Sequence, residues 1–292
     1  MRRTRAMVGG IAALAASAAM MAGVPASASP TAGGGSLYFV RGVNIMVVSV
    51  NGGTAHKITK AGTDSITGMT IASGKVFWVT LTGLRDNISF AAKNGGSAHV
   101  LVRNLNGPMG LVSADGWLFW VDQNAIGRVR PNGTSLNRKF IKLPQEVGGG
   151  VANGLAADGH HLFFSRCEGH EIGRVDLSGA HKNLSFIKLS AKACPQGLAV
   201  GNSHLYWANL DGFVGRAALS GHGASNNWLN ISSAGEGPFN VAADNAHVFW
   251  DWGGAASSPV HVGRATVGGT GLNKSFLTGQ GAFTLTSPGA NS

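Results

Sequence analysis

A short apolar-aromatic triplet recurs along this 292-residue chain at nearly constant spacing. The copies are LYF at Leu37, VFW at Val76, LFW at Leu118, LFF at Leu162, LYW at Leu205 and VFW at Val248. Successive copies begin 39, 42, 44, 43 and 43 residues apart. A four-stranded propeller blade takes about 40 to 45 residues, so the period favours blades that stack to share a core.

The residues around each triplet divide into four short strands. A small apolar segment such as Gly197–Val200 precedes the aromatic run, and a polar turn separates the two. A third segment repeats as IGRVR at Ile126, IGRVD at Ile172, VGRAA at Val214 and VGRAT at Val262. A glycine-containing turn then leads to a short outer strand such as SFI at Ser185. We therefore predict an all-β fold, a six-bladed β-propeller of four-stranded antiparallel blades.

The two ends of the repeat array complement each other. Only the segment 29–35, SPTAGGG, precedes the first aromatic run, and it is poor material for an inner strand. At the other end, GAFTLTS at Gly281–Ser287 lies where the inner strand of a further repeat would begin. We expect this C-terminal segment to form the inner strand of the first blade and close the ring, which removes exposed strand edges.

The N-terminal region has the layout of a secretory signal. Three arginines lie within the first five residues, an Ala-rich apolar run extends from Met7 to Val24, and ASA follows at Ala26–Ala28. The sequence predicts a signal peptide over residues 1–28 and a single propeller over 29–292. An uncleaved membrane anchor is the alternative. The prediction implies a secreted, extracellular and bacterial protein, with no membrane span in the mature chain.

The charge of the chain is positive but dispersed. The 23 basic and 13 acidic residues give a formal net charge of +10. Removal of the three leader arginines leaves 20 basic residues and a charge of +7. The basic residues occur singly along the repeats and do not form the continuous stripe that binds nucleic acid. We expect no nucleic-acid partner.

The chain contains two cysteines, Cys167 and Cys194. In an exported protein an even number of cysteines favours a disulfide, and two unpaired buried thiols are the alternative. In the predicted fold both cysteines lie on the same face, Cys167 after an aromatic strand and Cys194 just before the next blade. A bridge would close a 27-residue loop and contribute roughly 3 to 4 kcal/mol in the chain-entropy description.

Two motifs carry a resemblance to known repeat families. LYWAN at Leu205–Asn209 and IGRVDLSG at Ile172–Gly179 resemble the YWTD class of six-bladed propellers found in relatives of the low-density-lipoprotein receptor. They are also similar to NHL and streptogramin (virginiamycin B) lyase-like repeats, to which the segment Ala114–Gly133 is most similar. The YWTD aspartate is matched by Asp122 and loosely by Asn209. The lyase-type WFTE is absent, six units stand where that enzyme family has seven, and no catalytic residue of that family can be carried over.

Polar residues gather on the loops that join second to third strands and fourth strands to the next blade. These loops emerge on one face, where propellers usually bind ligands near the axis. The candidate ligand-binding residues on this face are Asp122, Glu168, His170, Glu171, Asn209, Asp211, Asp251 and Trp252. Their carboxylates and the EGHE cluster at Glu168–Glu171 could hold a divalent cation near the axis. The alternative is that they are turn-forming and solvated residues.

Other polar residues recur with the blade and favour structural roles. The histidines at the start of three consecutive aromatic strands favour turn or packing roles: His161, His204 and His247. The arginines of the third strand favour aliphatic stems packed over neighbouring strands: Arg128, Arg174, Arg216 and Arg264.

The motifs do not decide between binding and catalysis. There is no G-x-S-x-G elbow, no Walker loop and no C-x-x-C pair, which favours a non-enzymatic module that binds an extracellular protein, a glycan or a small polar ligand. The alternative is a metal-dependent lyase or hydrolase like those of related propellers. Convergence of the candidate carboxylates and His170 within metal-bonding distance would favour that alternative.

Overall fold

The computed structural model of the chain describes residues 35–62, 65–83, 86–122, 124–144, 154–231, 237–253, 261–277 and 285–286. These residues form six four-stranded antiparallel sheets and contain no helix. The sheets are the blades of a six-bladed β-propeller, which confirms the predicted fold class. The predicted signal peptide lies outside the described residues, and the boundary at residue 29 stays a prediction.

The strands follow the order predicted from the repeats. Blade 1 contains β1 (Ser36–Arg41), β2 (Asn44–Ser49), β3 (His56–Lys60) and the distant β24 (Leu285–Thr286). Blade 2 contains β4 (Ser65–Ala72), β5 (Lys75–Leu81), β6 (Asp86–Ala92) and β7 (His99–Leu105). Blade 3 contains β8 (Pro108–Ala114), β9 (Trp117–Asp122), β10 (Ala125–Val129) and β11 (Asn137–Lys142).

Blades 4 to 6 repeat the same arrangement. Blade 4 contains β12 (Leu155–Ala157), β13 (His161–Arg166), β14 (Glu171–Asp176) and β15 (Asn183–Lys188). Blade 5 contains β16 (Pro195–Gly201), β17 (His204–Asn209), β18 (Phe213–Ala218) and β19 (Ser225–Asn230). Blade 6 contains β20 (Val241–Ala243), β21 (His247–Trp252), β22 (His261–Thr266) and β23 (Asn273–Leu277).

The hydrophobic core lies between the blades. Each apolar cluster joins residues of two adjacent blades, as where Trp78 of blade 2 packs with Tyr38 and Val40 of blade 1. The tryptophans of the recurrent apolar-aromatic triplets are fully buried: Trp78, Trp120, Trp207 and Trp250. An aromatic strand buried on both faces accounts for the nearly continuous apolar runs of the sequence.

The glycine of the third strand is required by this packing. The ring of Trp207 lies against Gly215 on the neighbouring strand, so that a Cβ at this position would overlap the indole. The same arrangement joins Trp120 to Gly127 and Trp250 to Gly263. Glycine recurs at this position because only a residue without a Cβ leaves space for the large ring. An unusual backbone conformation is not the reason.

The recurrent arginines and histidines have the structural roles that their repetition indicated. Each arginine covers an aromatic ring of its own outer strand, with 3.7 Å from Arg128 Cζ to the Phe140 centroid and 4.5 Å from Arg264 Cζ to the Phe276 centroid. The His161 ring lies 6.1 Å from that of Phe163, and its Nδ1 is 3.1 Å from Asp158 Oδ2. The equivalent ring of His204 lies 6.1 Å from that of Tyr206.

The C-terminal strand closes the ring. Leu285 pairs with Phe39 and Thr286 pairs with Tyr38, so β24 completes blade 1 as its inner strand. Arg264 of blade 6 adds a second contact across the junction, since its Nη1 donates a hydrogen bond to the Val50 carbonyl at 2.7 Å. The predicted role of the C-terminal segment is confirmed at Leu285–Thr286.

The connections emerge on two faces of the propeller. We call upper the face that carries the turns between second and third strands and the segments that enter each new blade. The lower face carries the turns between first and second strands and between third and fourth strands. The described residues contain no helix that could span a membrane.

Candidate functional site

A disulfide fastens the upper face of blades 4 and 5. Cys167, at the β13–β14 turn, is bonded to Cys194, which lies just before β16, and their Cα atoms are 4.2 Å apart. The bridge spans a sequence separation of 27 residues. In the chain-entropy description a loop of this length stabilises the fold by about 3.5 kcal/mol. The predicted disulfide is confirmed.

The EGHE turn is tied to its surroundings by two of its side chains. His170 has a positive φ of 52°, and its Nδ1 is 2.6 Å from the Ala193 carbonyl, next to the disulfide. Glu171 forms an ion pair with Arg166 across the β13–β14 hairpin. Glu168 is exposed at the turn. Two of the three predicted ligands in this motif therefore hold the turn in place.

The polar residues at the ends of the aromatic strands accept hydrogen bonds from the backbone of the segments that enter the blades. The fully buried Asn209 accepts a hydrogen bond through Oδ1 from the Cys194 N–H at 2.7 Å. Ser165 does the same for the Gly154 N–H, also at 2.7 Å. These side chains position the inner strands, because the entering segment has no strand partner for those N–H groups.

Asp251 is a buried carboxylate whose two oxygens both accept hydrogen bonds. Its Oδ1 accepts hydrogen bonds from the backbone N–H groups of Phe239 and Asn240 at 2.9 and 2.7 Å, and its Oδ2 accepts one from Asn240 Nδ2 at 2.6 Å. Burial raises the pKa of Asp251 to about 6, although the donated hydrogen bonds act in the opposite direction. Asp251 is only 3% exposed, and its hydrogen bonds hold the segment that leads into β20.

The remaining candidates differ in their surroundings. Burial raises the pKa of Asp122, against the lowering effect of the Asn106 backbone N–H. Trp252 stacks on His261 with 4.7 Å between ring centroids and donates from Nε1 to the Lys274 carbonyl at 2.5 Å. Asp211 is exposed at the tip of the β17–β18 turn, where partial burial of its carboxyl raises its pKa.

Two exposed apolar side chains on this face were not predicted from the sequence. Phe239 is 51% exposed and Leu210 is 37% exposed. Both lie in loops, where the alternation of inward and outward side chains along a strand does not predict whether an apolar residue is exposed. The detectable signal was a large apolar side chain within an otherwise polar or glycine-containing loop, at NLDG and at GPFN.

The loops of blades 4, 5 and 6 converge around Cys194. The Leu210 N–H lies 3.4 Å from the Cys194 carbonyl, and Gly237 lies directly over the Leu210 backbone. We define the upper-face cluster as the segments 167–170, 193–194, 209–212 and 237–240. It brings together His170, Asn209 and Asp211, whereas Asp122 in blade 3 and Trp252 on the outer strand side of blade 6 lie outside it.

The candidate residues do not form a metal centre where the structure describes them. Within the described ranges, no group of three or more His, Cys, Asp or Glu side chains is arranged to hold a metal ion. His170 is directed to Ala193, Glu171 to Arg166 and Asp251 to the start of β20. The divalent cation stays a prediction without a ligand set among these residues.

Comparison with known proteins identifies the fold. No protein-family model and no curated protein matches the chain. Among solved structures, a chain of a nidogen/laminin complex has a TM-score of 0.67 and 14% identity, covering 89% of this chain and 100% of its own length. A streptogramin B lyase has a TM-score of 0.54 and 20% identity, covering 72% and 69% of the two chains.

A gluconolactonase of Xanthomonas campestris is a third similar structure, with a TM-score of 0.56 and 18% identity over 73% of this chain and 77% of its own. At such low identities the similarity concerns the fold, and the fold serves binding proteins and enzymes alike. The resemblance to propellers of the YWTD and lyase-like repeat types is confirmed at this level.

Proposed function

We propose that this chain is an exported, non-enzymatic binding module whose upper-face cluster contacts an extracellular protein. The observation that carries the proposal is the exposure of Phe239 and Leu210 on a face whose loops are fixed by the disulfide. Exposed aromatic side chains on a rigid support are typical of protein interfaces, and a large aliphatic side chain on the same face adds apolar contact area.

The surroundings of the two apolar residues suit a protein interface. Glu168 and Asp211 are exposed within the upper-face cluster and Lys192 is exposed next to it in sequence, so charged residues of both signs are available for the rim of an interface. The loops are held by Asn209 and Asp251, so little conformational entropy would be lost when a partner binds. The similar chain in the nidogen/laminin complex supports the proposal as a propeller whose structure was solved with a protein partner.

Export is part of the same proposal. The basic, apolar and small-residue segments of residues 1–28 have the order of a secretory signal. The Cys167–Cys194 disulfide is consistent with an oxidising compartment. Cleavage after Ala28 is checked by N-terminal sequencing of the protein recovered from the culture medium, and a chain retaining residues 1–28 would contradict it.

The catalytic alternative has weaker support. A carboxyl group with a pKa near 6 is suited to proton transfer, and Asp251 has such a pKa. However, both of its oxygens accept hydrogen bonds from Phe239 and Asn240, and the group is buried. An acid or base must reach substrate, and this carboxyl is directed to the protein backbone instead.

The test is retention of extracellular proteins of the source organism on immobilised residues 29–292. Phe239→Ser combined with Leu210→Ser should abolish retention of the partner without lowering the melting temperature. Leu272→Ser is the matched control, because Leu272 is 45% exposed but lies on the lower face of blade 6. Retention that survives the double substitution, or that is lost equally in the control, contradicts the proposal.

A further inference from the structure

A polar groove on the lower face lies between blades 2 and 3, away from the upper-face cluster. It has a volume of about 390 Å³ and is open to solvent. Its walls come from the β4–β5 turn with the start of β5, and from the β10–β11 turn. The residues that matter for its chemistry are Ser73, Lys75, Arg130, Asn132, Thr134 and Ser135.

The groove carries two positive charges and no carboxylate among its lining residues. Lys75 Nζ lies 4.4 Å from the centroid of Phe90, and neither Lys75 nor Arg130 forms an ion pair with any described residue. Arg130 donates from Nη1 to the carbonyls of Asp115 and Gly116 at 3.2 and 3.0 Å, which leaves its other N–H groups without a partner among the described residues. Two cations in a groove without a lining carboxylate favour an anionic ligand.

The guanidinium group of Arg130 is held in position before any ligand binds. Arg130 Cζ lies 3.8 Å from the ring centroid of Trp117, and Arg128 Cζ lies 4.1 Å from it. Burial lowers the pKa of Arg128, and the charge of Arg130 lowers it further. Two like charges beside one ring repel each other, so an anion in the groove would relieve that repulsion.

The other blades show that these charges are not needed for folding. The turn that begins at Arg130 recurs with the same two backbone hydrogen bonds in blades 4, 5 and 6, where it begins at Asp176, Ala218 and Thr266. The position of Lys75 is occupied by histidine at the start of the aromatic strand in the same three blades. The backbone of the turn therefore accepts other side chains, and the cation pair is particular to this groove.

We propose that this groove binds an acidic saccharide, with Lys75 and Arg130 contacting the oxyanion. The uncharged lining residues offer hydroxyl and amide groups, which suit the hydroxyls of a sugar ring. The volume lies within the range of small-ligand sites. The oxyanion is a uronate carboxylate, a sulfate ester or a phosphate ester. The disaccharides used in the test below distinguish these three.

The test is titration of residues 29–292 by calorimetry with digalacturonate, a sulfated disaccharide, a phosphorylated disaccharide, a neutral disaccharide and inorganic phosphate. We expect at least one acidic disaccharide to bind at least about ten-fold more tightly than the neutral one, since one charge-assisted hydrogen bond is worth that much. Addition of NaCl should weaken this binding.

Variants locate the site. Lys75→Gln combined with Arg130→Gln should weaken the acidic disaccharide by about ten-fold or more, whereas Lys75→Arg should preserve binding. Lys139→Gln is the control, because it removes one charge from the exposed outer strand of blade 3 without touching the groove. The proposal is overturned if no acidic disaccharide binds, if the neutral disaccharide or inorganic phosphate binds as tightly, or if the double variant binds like the unchanged protein.

Discussion

On the upper face, the ends of the aromatic strands carry different polar side chains in different blades, and the backbone uses several of them. Ser165, Asn209 and Asp251 each accept hydrogen bonds from the segment that enters their own blade. On the lower face, the recurrent turn also carries a different residue in each blade, but its backbone hydrogen bonds are the same whether it begins at Arg130 or at Ala218.

This difference shows that a side chain can vary between the repeated blades for two reasons. A polar side chain that satisfies backbone donors is part of the fold even when its identity changes from blade to blade. A side chain whose turn forms equally well without it is available for a ligand. Variation between repeats therefore indicates a binding site only after the backbone hydrogen bonds have been assigned.

The largest expected effect concerns the ring on which both faces depend. Truncation before Leu285 removes β24 and leaves Tyr38 and Phe39 of β1 without their inner partner. We expect the free energy of unfolding to fall by about 3 to 5 kcal/mol, from lost hydrogen bonds and renewed exposure of buried rings. Urea denaturation measures it. A chain ending at Ala290 retains β24 and is the control, and an unchanged midpoint after truncation before Leu285 would refute closure.

The next largest expected effect is the loss of the disulfide on the upper face. Cys167→Ser combined with Cys194→Ser should lower the free energy of unfolding by about 3.5 kcal/mol, because the 27-residue loop is no longer closed in the unfolded chain. Urea denaturation with and without reductant measures this loss, and reductant should affect only the unchanged protein. Equal stability of the two proteins under oxidising conditions would show that the upper-face loops do not depend on the bridge.

The free energy of unfolding is expected to depend on pH through Asp251 of the upper face. Since its pKa rises from 3.8 to about 6 on folding, the folded state favours the protonated carboxyl. Its contribution to stability is fully present below about pH 4 and is lost as the pH rises through 6, a change of about 3 kcal/mol.

The measurement is the difference in unfolding free energy between the unchanged protein and Asp251→Asn at several pH values. The variant has no titrating group at this position, so the difference should change between pH 4 and 6 and stay constant above about pH 7. A difference that is independent of pH would show that folding does not raise the pKa of Asp251 and would contradict this account.

The sequence predicted the repeated framework better than the individual loops. The aromatic strands, the glycine-arginine strands and the closing strand all follow from local patterns, because each copy must present the same faces to its neighbours. Whether Asp251 binds a ligand or the backbone depends on the path of a segment twelve residues earlier, which local patterns do not specify. The exposure of Phe239 depends in the same way on how neighbouring loops pack.

The comparison of the two faces is tested most directly by paired stability measurements in urea. Asn209→Ala removes the buried side chain that accepts the hydrogen bond of the Cys194 N–H and should lower the free energy of unfolding by about 2 kcal/mol. Lys75→Gln combined with Arg130→Gln should lower it by less than about 1 kcal/mol, since exposed cation contacts contribute little. A stable Asn209→Ala protein together with a strongly destabilised lower-face variant would contradict the account.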